Sequence, residues 1–122
     1  MAKKILIVDD SASVRTVAKI ALNEAGYEIT EATNGEEALQ RLSTDRVHLI
    51  VSDVNMPVMD GITFLKRVKA LPQYKFTPVI MLTTEAGQDM KEQGRAAGAK
   101  AWITKPFQPR NLVDAVSKLV LA

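Results

Sequence analysis

Five polar side chains stand at the ends of short apolar runs, and three of them are carboxylates. Asp9 and Asp10 follow the first run, Asp53 follows the third, Thr83 closes the fourth and Lys105 follows the fifth. If these runs are parallel strands of one sheet, the five side chains meet at one edge of it. Three carboxylates in one pocket repel each other, which favours a bound cation. Carboxylate oxygens in small number suit Mg²⁺, which keeps several waters and is often shared with a phosphate.

A simpler explanation exists for each of these residues taken alone. The end of a strand is often polar because the chain leaves the core there. Asp9 or Asp10 could also cap the helix that follows them. Capping accounts for one of these two acids, and for neither Asp53 nor Lys105. The five residues together therefore favour a functional site.

Two periodicities alternate along the chain and predict the elements that position these side chains. Continuous aliphatic runs indicate buried strands, and apolar residues three and four positions apart indicate amphipathic helices. Asn34 is predicted to cap the second helix, with Glu37 reaching back to the N–H of the cap residue. Pro109 is predicted in the first turn of the last helix. The predicted strands cover 5–8, 27–32, 47–52, 78–83 and 101–104, and the predicted helices cover about 14–25, 34–42, 64–71, 88–97 and 109–120.

The strict alternation of strands and helices predicts an α/β domain, a parallel sheet with helices on both faces. The first, third and fourth strands are the most apolar and are expected at the centre. With right-handed crossovers, this gives a doubly wound five-stranded sheet of order 2-1-3-4-5, the flavodoxin-like (β/α)5 arrangement. Gly87, Gly94 and Gly98 make the fourth helix a weak one.

Length and composition restrict the class of protein. The 122 residues suit one domain, so residues 1–122 are expected to form a single domain with no output domain attached. Apolar residues make up 47% and charged residues 25%, as in soluble globular proteins, and no apolar run is long enough for a signal peptide or a membrane span. Because the chain has no cysteine, disulfides and thiolate metal sites are excluded. We therefore expect a cytoplasmic protein.

The charge balance is mildly basic, with a formal net charge of +2. Lysines and arginines are spread along the chain, with one modest cluster at Lys66, Arg67, Lys69 and Lys75. A solvated helix face explains that cluster better than a nucleic-acid patch does.

The polar strand ends also match a known family. The Asp9-Asp10 pair, Asp53 at a strand end, Thr83 and the Lys105-Pro106-Phe107 triplet together resemble the receiver domain of two-component response regulators. Each motif alone is weak, but the set is specific in its order and spacing, and the resemblance covers essentially the whole chain. Within that family, the chain looks most like the stand-alone chemotaxis regulator CheY and its relatives.

The resemblance implies a phosphoryl-transfer site. Asp53 would accept a phosphoryl group from a histidine kinase. Asp10, Asp53 and the backbone carbonyl of Asn55 would hold Mg²⁺, with Asp9 helping through water. Lys105 would bind an oxygen of the incoming phosphate. Such a transfer has a loose transition state, so positioning and charge neutralisation supply most of the catalysis.

A conformational switch is implied as well. Thr83 would hydrogen-bond the acylphosphate and move inward, and Trp102 would fill the vacated space, changing a protein-binding face. Trp102 stands where the family usually has Tyr or Phe. Because Trp is bulkier than Tyr and lacks a hydroxyl, a half-buried edge-strand aromatic without a switching role is the alternative. The resemblance also raises the expectation of a cis Lys105–Pro106 peptide bond above its ordinary frequency.

Two positions are expected to tune how long the phosphate lasts. Asn55 lies two residues after Asp53, and Glu85 lies two residues after Thr83. Both would flank the path of a water that attacks phosphorus, and polar groups there can orient that water. We therefore predict a short-lived phosphoprotein.

The implied protein is a signalling receiver, and its only catalysis is its own phosphorylation and dephosphorylation. The implied partners are a CheA-like sensor histidine kinase and a downstream target such as a component of the flagellar motor switch, in chemotaxis or motility signalling. No nucleic acid and no membrane is expected as a partner. Dimerisation is not indicated, so a monomer is expected.

Two other classes of protein compete with this interpretation. A phosphatase with an aspartyl nucleophile needs a second acid two residues after it, and Asn55 stands there. A flavodoxin-like carrier needs a phosphate loop rich in Ser, Thr and Gly after the first strand, where Asp9 and Asp10 would repel a phosphate. The sequence leaves open whether the output is a motor ligand, a phosphate sink or another motility or gene-cluster regulator.

Overall fold

The structure is a computed structural model that describes residues 2–84 and 88–120, with the backbone alone at 88–90. Within these residues, five strands and five α-helices alternate along the chain. The strands are β1 (Lys4–Val8), β2 (Glu28–Ala32), β3 (Leu49–Asp53), β4 (Val79–Thr83) and β5 (Ala101–Thr104). The helices are α1 (Ala12–Glu24), α2 (Gly35–Thr44), α3 (Gly61–Ala70), α4 (Gln88–Ala97) and α5 (Pro109–Leu119), and a 3-10 turn at Pro72–Tyr74 follows α3.

The five strands form one parallel sheet of order β2-β1-β3-β4-β5, which confirms the predicted topology. Every residue of β3 and β4 is buried, whereas β2 and β5 at the edges are mostly half-exposed. The cause is visible in the sequence, since central strands of a parallel sheet are covered on both faces and read as continuous aliphatic runs. The carboxyl ends of β1, β3 and β4 consequently lie side by side.

Helices cover both faces of the sheet. On one face, Ile5 of β1 packs in a core with Leu22 of α1 and residues of α5. On the other face, Leu6 of β1 packs in a second core with Phe64 of α3 and residues of α2. Successive side chains of a strand point to opposite faces, so one aliphatic run feeds both cores. No helix in the described part of the chain has the length and hydropathy that crossing a membrane requires.

The start of α2 follows the predicted cap with one correction. Oδ1 of Asn34 accepts a hydrogen bond from the N–H of Glu37 at 2.8 Å, as a cap residue should. The carboxylate of Glu37 was expected on the N–H of Asn34, and this is wrong. It accepts instead from the N–H and the hydroxyl of Thr33, at 3.2 and 3.1 Å. The box therefore closes one residue earlier, on the two donors of Thr33.

The glycines of the fourth helix have separate roles. Gly94 lies within α4, whereas Gly98 follows its last residue with a φ of +110°, a conformation that L side chains rarely adopt. Gly98 therefore ends the helix and does not weaken its interior. The third residue of the predicted set, Gly87, lies outside the described residues.

The basic cluster lies on a solvated face only in part, because Lys69 is an exception. Its Nζ donates to the backbone carbonyl of Lys75 at 3.3 Å and to that of Thr77. Burial, together with the nearby charge of Lys100, holds the pKa of Lys69 below its usual value. Lys69 thus ties α3 to the segment that enters β4, while Lys66, Arg67 and Lys75 remain exposed.

Candidate functional site

Three acids meet at the carboxyl edge of the sheet. Asp9 and Asp10 follow β1, and Asp53 is the last residue of β3. One carboxylate oxygen from each lies within 4.8 Å of those of the other two. The neighbouring positions of β1 and β3 in the sheet bring together side chains more than forty residues apart in sequence.

Asp9 is fully buried, and each of its polar groups has a partner. Its N–H donates to the carbonyl of Ala32 at 3.1 Å, and its own carbonyl accepts from Nη1 of Arg15 at 2.6 Å. Its carboxylate accepts from the N–H of Ser11 at 2.8 Å and from Nζ of Lys105 at 2.7 Å. Because both carboxylate oxygens already have protein donors, Asp9 is a fixed wall of the pocket.

Asp10 differs from Asp9 in its exposure and in its partners. Asp10 is exposed, and its carboxylate makes no ion pair within the described residues. Helix capping does not explain it, because Ser11 caps α1, with its hydroxyl accepting from the N–H of Val14 at 3.4 Å. The carboxylate of Asp10 is thus the one in the cluster that is most open to a ligand.

Asp53 lies between these two extremes. It is 5% exposed, and its Oδ1 lies 3.2 Å from Nζ of Lys105 and 3.4 Å from the N–H of Asn55. Burial raises the pKa of Asp53, and the carboxylate of Asp9 raises it further, against the opposing effect of Lys105. Because burial disfavours the charged form of this carboxylate, a positive charge placed nearby would stabilise that form.

Lys105 reaches into the pocket from the residue that follows β5. Its N–H donates to the carbonyl of Thr83 at 2.7 Å, which fixes its backbone to the end of β4. Burial works to lower the pKa of Lys105, but the carboxylates of Asp9 and Asp53 outweigh it and hold the pKa above its usual value. The Lys105–Pro106 peptide bond is cis, as the resemblance favoured.

The charges of this pocket test whether a divalent cation fits. Among the residues that the structure describes, Lys105 is the one ammonium that pairs with the three-acid cluster, and it pairs with Asp9 and Asp53 but not with Asp10. A single ammonium cannot balance three carboxylates, and the donors that remain are hard oxygens, the kind that Mg²⁺ prefers. The residues present therefore fit a divalent metal such as Mg²⁺.

Of the other predicted site residues, Thr83 and Asn55 lie on segments next to this centre. Thr83 is the last residue of β4 and is fully buried, on the strand next to Asp53. Asn55 is exposed in the loop after β3. Glu85, which was expected to tune the phosphate lifetime with Asn55, lies outside the described residues.

Gly61 supports the site, although it is not among the residues that the sequence analysis singled out. It is the first residue of α3, and its N–H donates to the carbonyl of Val54 at 2.7 Å. A Cβ at this position would lie 2.1 Å from the carbonyl oxygen of Asp53. Glycine therefore lets α3 begin directly against the backbone that carries Asp53. The available signal was a glycine shortly before the predicted third helix.

Trp102 of β5 packs against α4. A Cβ added to Gly94 would lie 2.3 Å from Cζ3 of Trp102, so the indole occupies the space that this glycine leaves free. Nε1 of Trp102 is buried, and no hydrogen-bond acceptor in the described part of the chain reaches it. A cavity of about 100 Å³ borders the ring. The indole is therefore half-buried, and it packs in the space that Gly94 leaves free.

Comparison with known proteins identifies the family. Residues 5–117 match the response regulator receiver domain, so the chain belongs to that family. Members of this family are signalling domains that phosphorylation activates, and they bind Mg²⁺ in an acidic pocket. The coarse function predicted from the sequence is thereby confirmed.

The relatives include both chemotaxis and transcription proteins. The chain is 38% identical over 121 residues to the chemotaxis protein CheY of Thermotoga maritima, covering 98% of each. It is 40% identical over 121 residues to the alkaline phosphatase synthesis transcriptional regulatory protein PhoP of Bacillus subtilis, covering 99% of this chain and 49% of PhoP. The chain thus spans about half the length of PhoP and nearly all of that CheY.

Solved structures share the fold closely. The chemotaxis response regulator CheY4 of Vibrio cholerae has a TM-score of 0.93 and 45% sequence identity, covering 98% of this chain and 100% of CheY4. The receiver domain of the sensor histidine kinase PA1611 of Pseudomonas aeruginosa, 28% identical with a TM-score of 0.89 over 98% of each chain, has a magnesium ion coordinated in its active-site cleft. The first of these confirms the flavodoxin-like fold class.

The packing of the Trp102 indole against Gly94 predicts the effect of Gly94→Ala. The added methyl would displace the ring of Trp102, so the fluorescence emission of this sole tryptophan should shift to longer wavelength. Overpacking should lower the free energy of unfolding by about 1–3 kcal/mol despite the better helix propensity of alanine.

A matched control is Gln93→Ala, at an exposed position of the same helix. It should leave the emission unchanged and stability equal or slightly higher. Wild-type emission together with raised stability in Gly94→Ala would contradict the packing of Trp102 against Gly94.

Proposed function

We propose that Asp53 is the residue on which this receiver domain accepts a phosphoryl group from a histidine kinase, in a pocket that holds Mg²⁺. The observation that carries the proposal is the position of Nζ of Lys105, 2.7 Å from the carboxylate of Asp9 and 3.2 Å from that of Asp53. An ammonium there offsets part of the negative charge of the pocket and lies beside the carboxylate that would accept the phosphoryl group.

The metal ligands follow from the partners of each acid. Asp10 and Asp53 would bind Mg²⁺ directly, with the backbone carbonyl of Asn55 as a third ligand. Asp9 would act through water, because its two carboxylate oxygens already accept from Ser11 and Lys105. When bound, the ion supplies positive charge that stabilises the oxygens of the transferring phosphoryl group.

The transfer itself needs a positioned oxygen. A carboxylate oxygen of Asp53 attacks the phosphorus of a phosphohistidine, a P–O bond forms as the P–N bond breaks, and the electron pair of that bond leaves with the imidazole nitrogen. The strand end and the N–H of Asn55 hold the attacking carboxylate. Lys105 donates to a phosphoryl oxygen, where burial makes its charge more effective than it would be in water.

A switch at β4 and β5 would transmit the modification. The phosphoryl group on Asp53 gives the hydroxyl of Thr83 a new acceptor, and the shift of Thr83 opens room for Trp102. One feature supports this movement. The buried N–H of Trp102 has no acceptor within the described residues, which costs about 1–3 kcal/mol. Movement of Trp102 would change the face formed by α4, β5 and α5.

Chemotaxis or motility signalling is the pathway that we propose. The support is the likeness to the CheY of Thermotoga maritima and to CheY4 of Vibrio cholerae, which this chain covers along 98% and 100% of their lengths. A CheA-like histidine kinase would supply the phosphoryl group, and a component of the flagellar motor switch would be the target. The likeness to PhoP makes a transcriptional pathway the second candidate.

Incubation with acetyl phosphate and Mg²⁺ tests the phosphate acceptor. Intact mass measurement should show one added phosphoryl group on the wild type, none after Mg²⁺ is chelated, and none on Asp53→Asn. Asp114→Asn removes the same charge from an exposed position of α5 and should behave as the wild type. No adduct on the wild type, or an adduct that survives in Asp53→Asn, would overturn the proposal.

The lifetime of the phosphoprotein tests the polar groups around the pocket. We propose that Asn55 and Glu85 help to orient the attacking water, so their joint exchange for leucine should slow loss of the phosphoryl group about tenfold or more. The measurement is the decay of the adduct after the donor is removed. Val58→Leu, at an exposed position of the same loop as Asn55, is the control and should decay like the wild type. An unchanged decay in the double variant would refute the tuning role.

A further inference from the structure

Arg15 joins the acidic pocket to the neighbouring strand, although the proposed transfer does not use it. It lies in the first turn of α1, and its side chain is 16% exposed. Nη1 donates to the backbone carbonyl of Asp9 at 2.6 Å, and Nε donates to the carboxylate of Glu31 on β2 at 3.2 Å. The guanidinium thus bridges the chain segment of the acids and the edge strand.

The contact with the carbonyl of Asp9 controls the direction of Asp10. That carbonyl and the nitrogen of Asp10 belong to the same planar peptide unit, so fixing the oxygen fixes the plane from which Asp10 continues. The carboxylate of Asp10 makes no hydrogen bond with the described residues that would orient it otherwise. The orientation of Asp10 therefore depends on its backbone.

Glu31 makes Arg15 rigid enough for this purpose. The planar fork of an arginine presents donors in fixed directions, so holding Nε aims Nη1. Glu31 precedes Ala32, whose carbonyl accepts from the N–H of Asp9 at 3.1 Å. The end of β2 consequently holds Asp9 twice, directly at its N–H and through Arg15 at its carbonyl.

We propose that Arg15 is a positioning residue for Asp10. Anchored by Glu31, it fixes the peptide unit between Asp9 and Asp10 so that the carboxylate of Asp10 is presented to the metal. The inference rests on the proposed function only in that the pocket takes up Mg²⁺.

The direction in which the Mg²⁺ affinity changes distinguishes a positioning role of Arg15 from a purely electrostatic one. Removing a positive charge near a cation site strengthens cation binding if Coulomb repulsion alone acts. Removing a residue that orients a ligand weakens binding, and loss of such a partner typically costs 10–100-fold in metal affinity. Arg15→Gln therefore has opposite outcomes under the two explanations.

Calorimetric titration of Mg²⁺ into the protein, without phosphate, measures the difference. Arg15→Gln should bind Mg²⁺ about tenfold more weakly than the wild type. Lys19→Gln is the matched control, because Lys19 is exposed and its Nζ lies 3.6 Å from the carboxylate of the same Glu31. This substitution removes the same charge without affecting a contact to Asp9. It should bind as the wild type does or slightly more tightly. Equal affinity in the two variants, or tighter binding in Arg15→Gln, would overturn the inference.

A second pair of variants keeps the test decisive if Arg15→Gln does not fold. Glu31→Ala removes the acceptor that anchors Arg15, whereas Glu28→Ala removes the same charge from an exposed position of the same strand. Glu31→Ala should bind Mg²⁺ more weakly than Glu28→Ala, and equal affinities would overturn the inference. A wild type that takes up no Mg²⁺ would overturn the proposed function and this inference together, an outcome distinct from equal affinities in the variants.

Discussion

The ammonium of Lys105 between the carboxylates of Asp9 and Asp53 is the interaction on which the rest of the structure depends. These three groups come from the ends of β5, β1 and β3, so the contact exists only because the sheet is parallel and has its particular strand order. Buried carboxylates without a partner would be strongly unfavourable, and a single lysine offsets part of that cost. The fold therefore brings the carboxylates together and also provides the one lysine that offsets part of their charge.

The negative charge that Lys105 leaves unbalanced is the feature on which the proposed function rests. Asp9 is tied down by the protein on all sides, Asp53 is buried with a raised pKa, and Asp10 is open. This gradient from fixed to open distinguishes the three acids, although the residue type is the same. A divalent cation would complete the charge balance, and a phosphoryl group would then arrive between the cation and Lys105.

The sequence predicted the fold and the identity of the pocket because both depend on direction of burial. Aliphatic runs mark central strands, and a polar residue at the end of such a run must lie at the sheet edge. It did not predict contacts that depend on the distance between elements. Three such contacts are the hydrogen bond from Arg15 to the carbonyl of Asp9, the approach of Gly61 to Asp53 and the packing of Trp102 against Gly94. A pattern of residue types records which face a side chain occupies, and it carries no information on how closely two backbones approach.

Locating the phosphoryl group on the chain is the most direct measurement of the central claim. Borohydride reduces an aspartyl acylphosphate to homoserine and leaves free carboxylates intact, so peptide mapping after reduction identifies the modified position. After treatment with acetyl phosphate and Mg²⁺, we expect homoserine at position 53 and aspartate at positions 9 and 10. Homoserine at either of those two positions, or aspartate retained at position 53 in protein that carried the phosphoryl mass, would contradict the account.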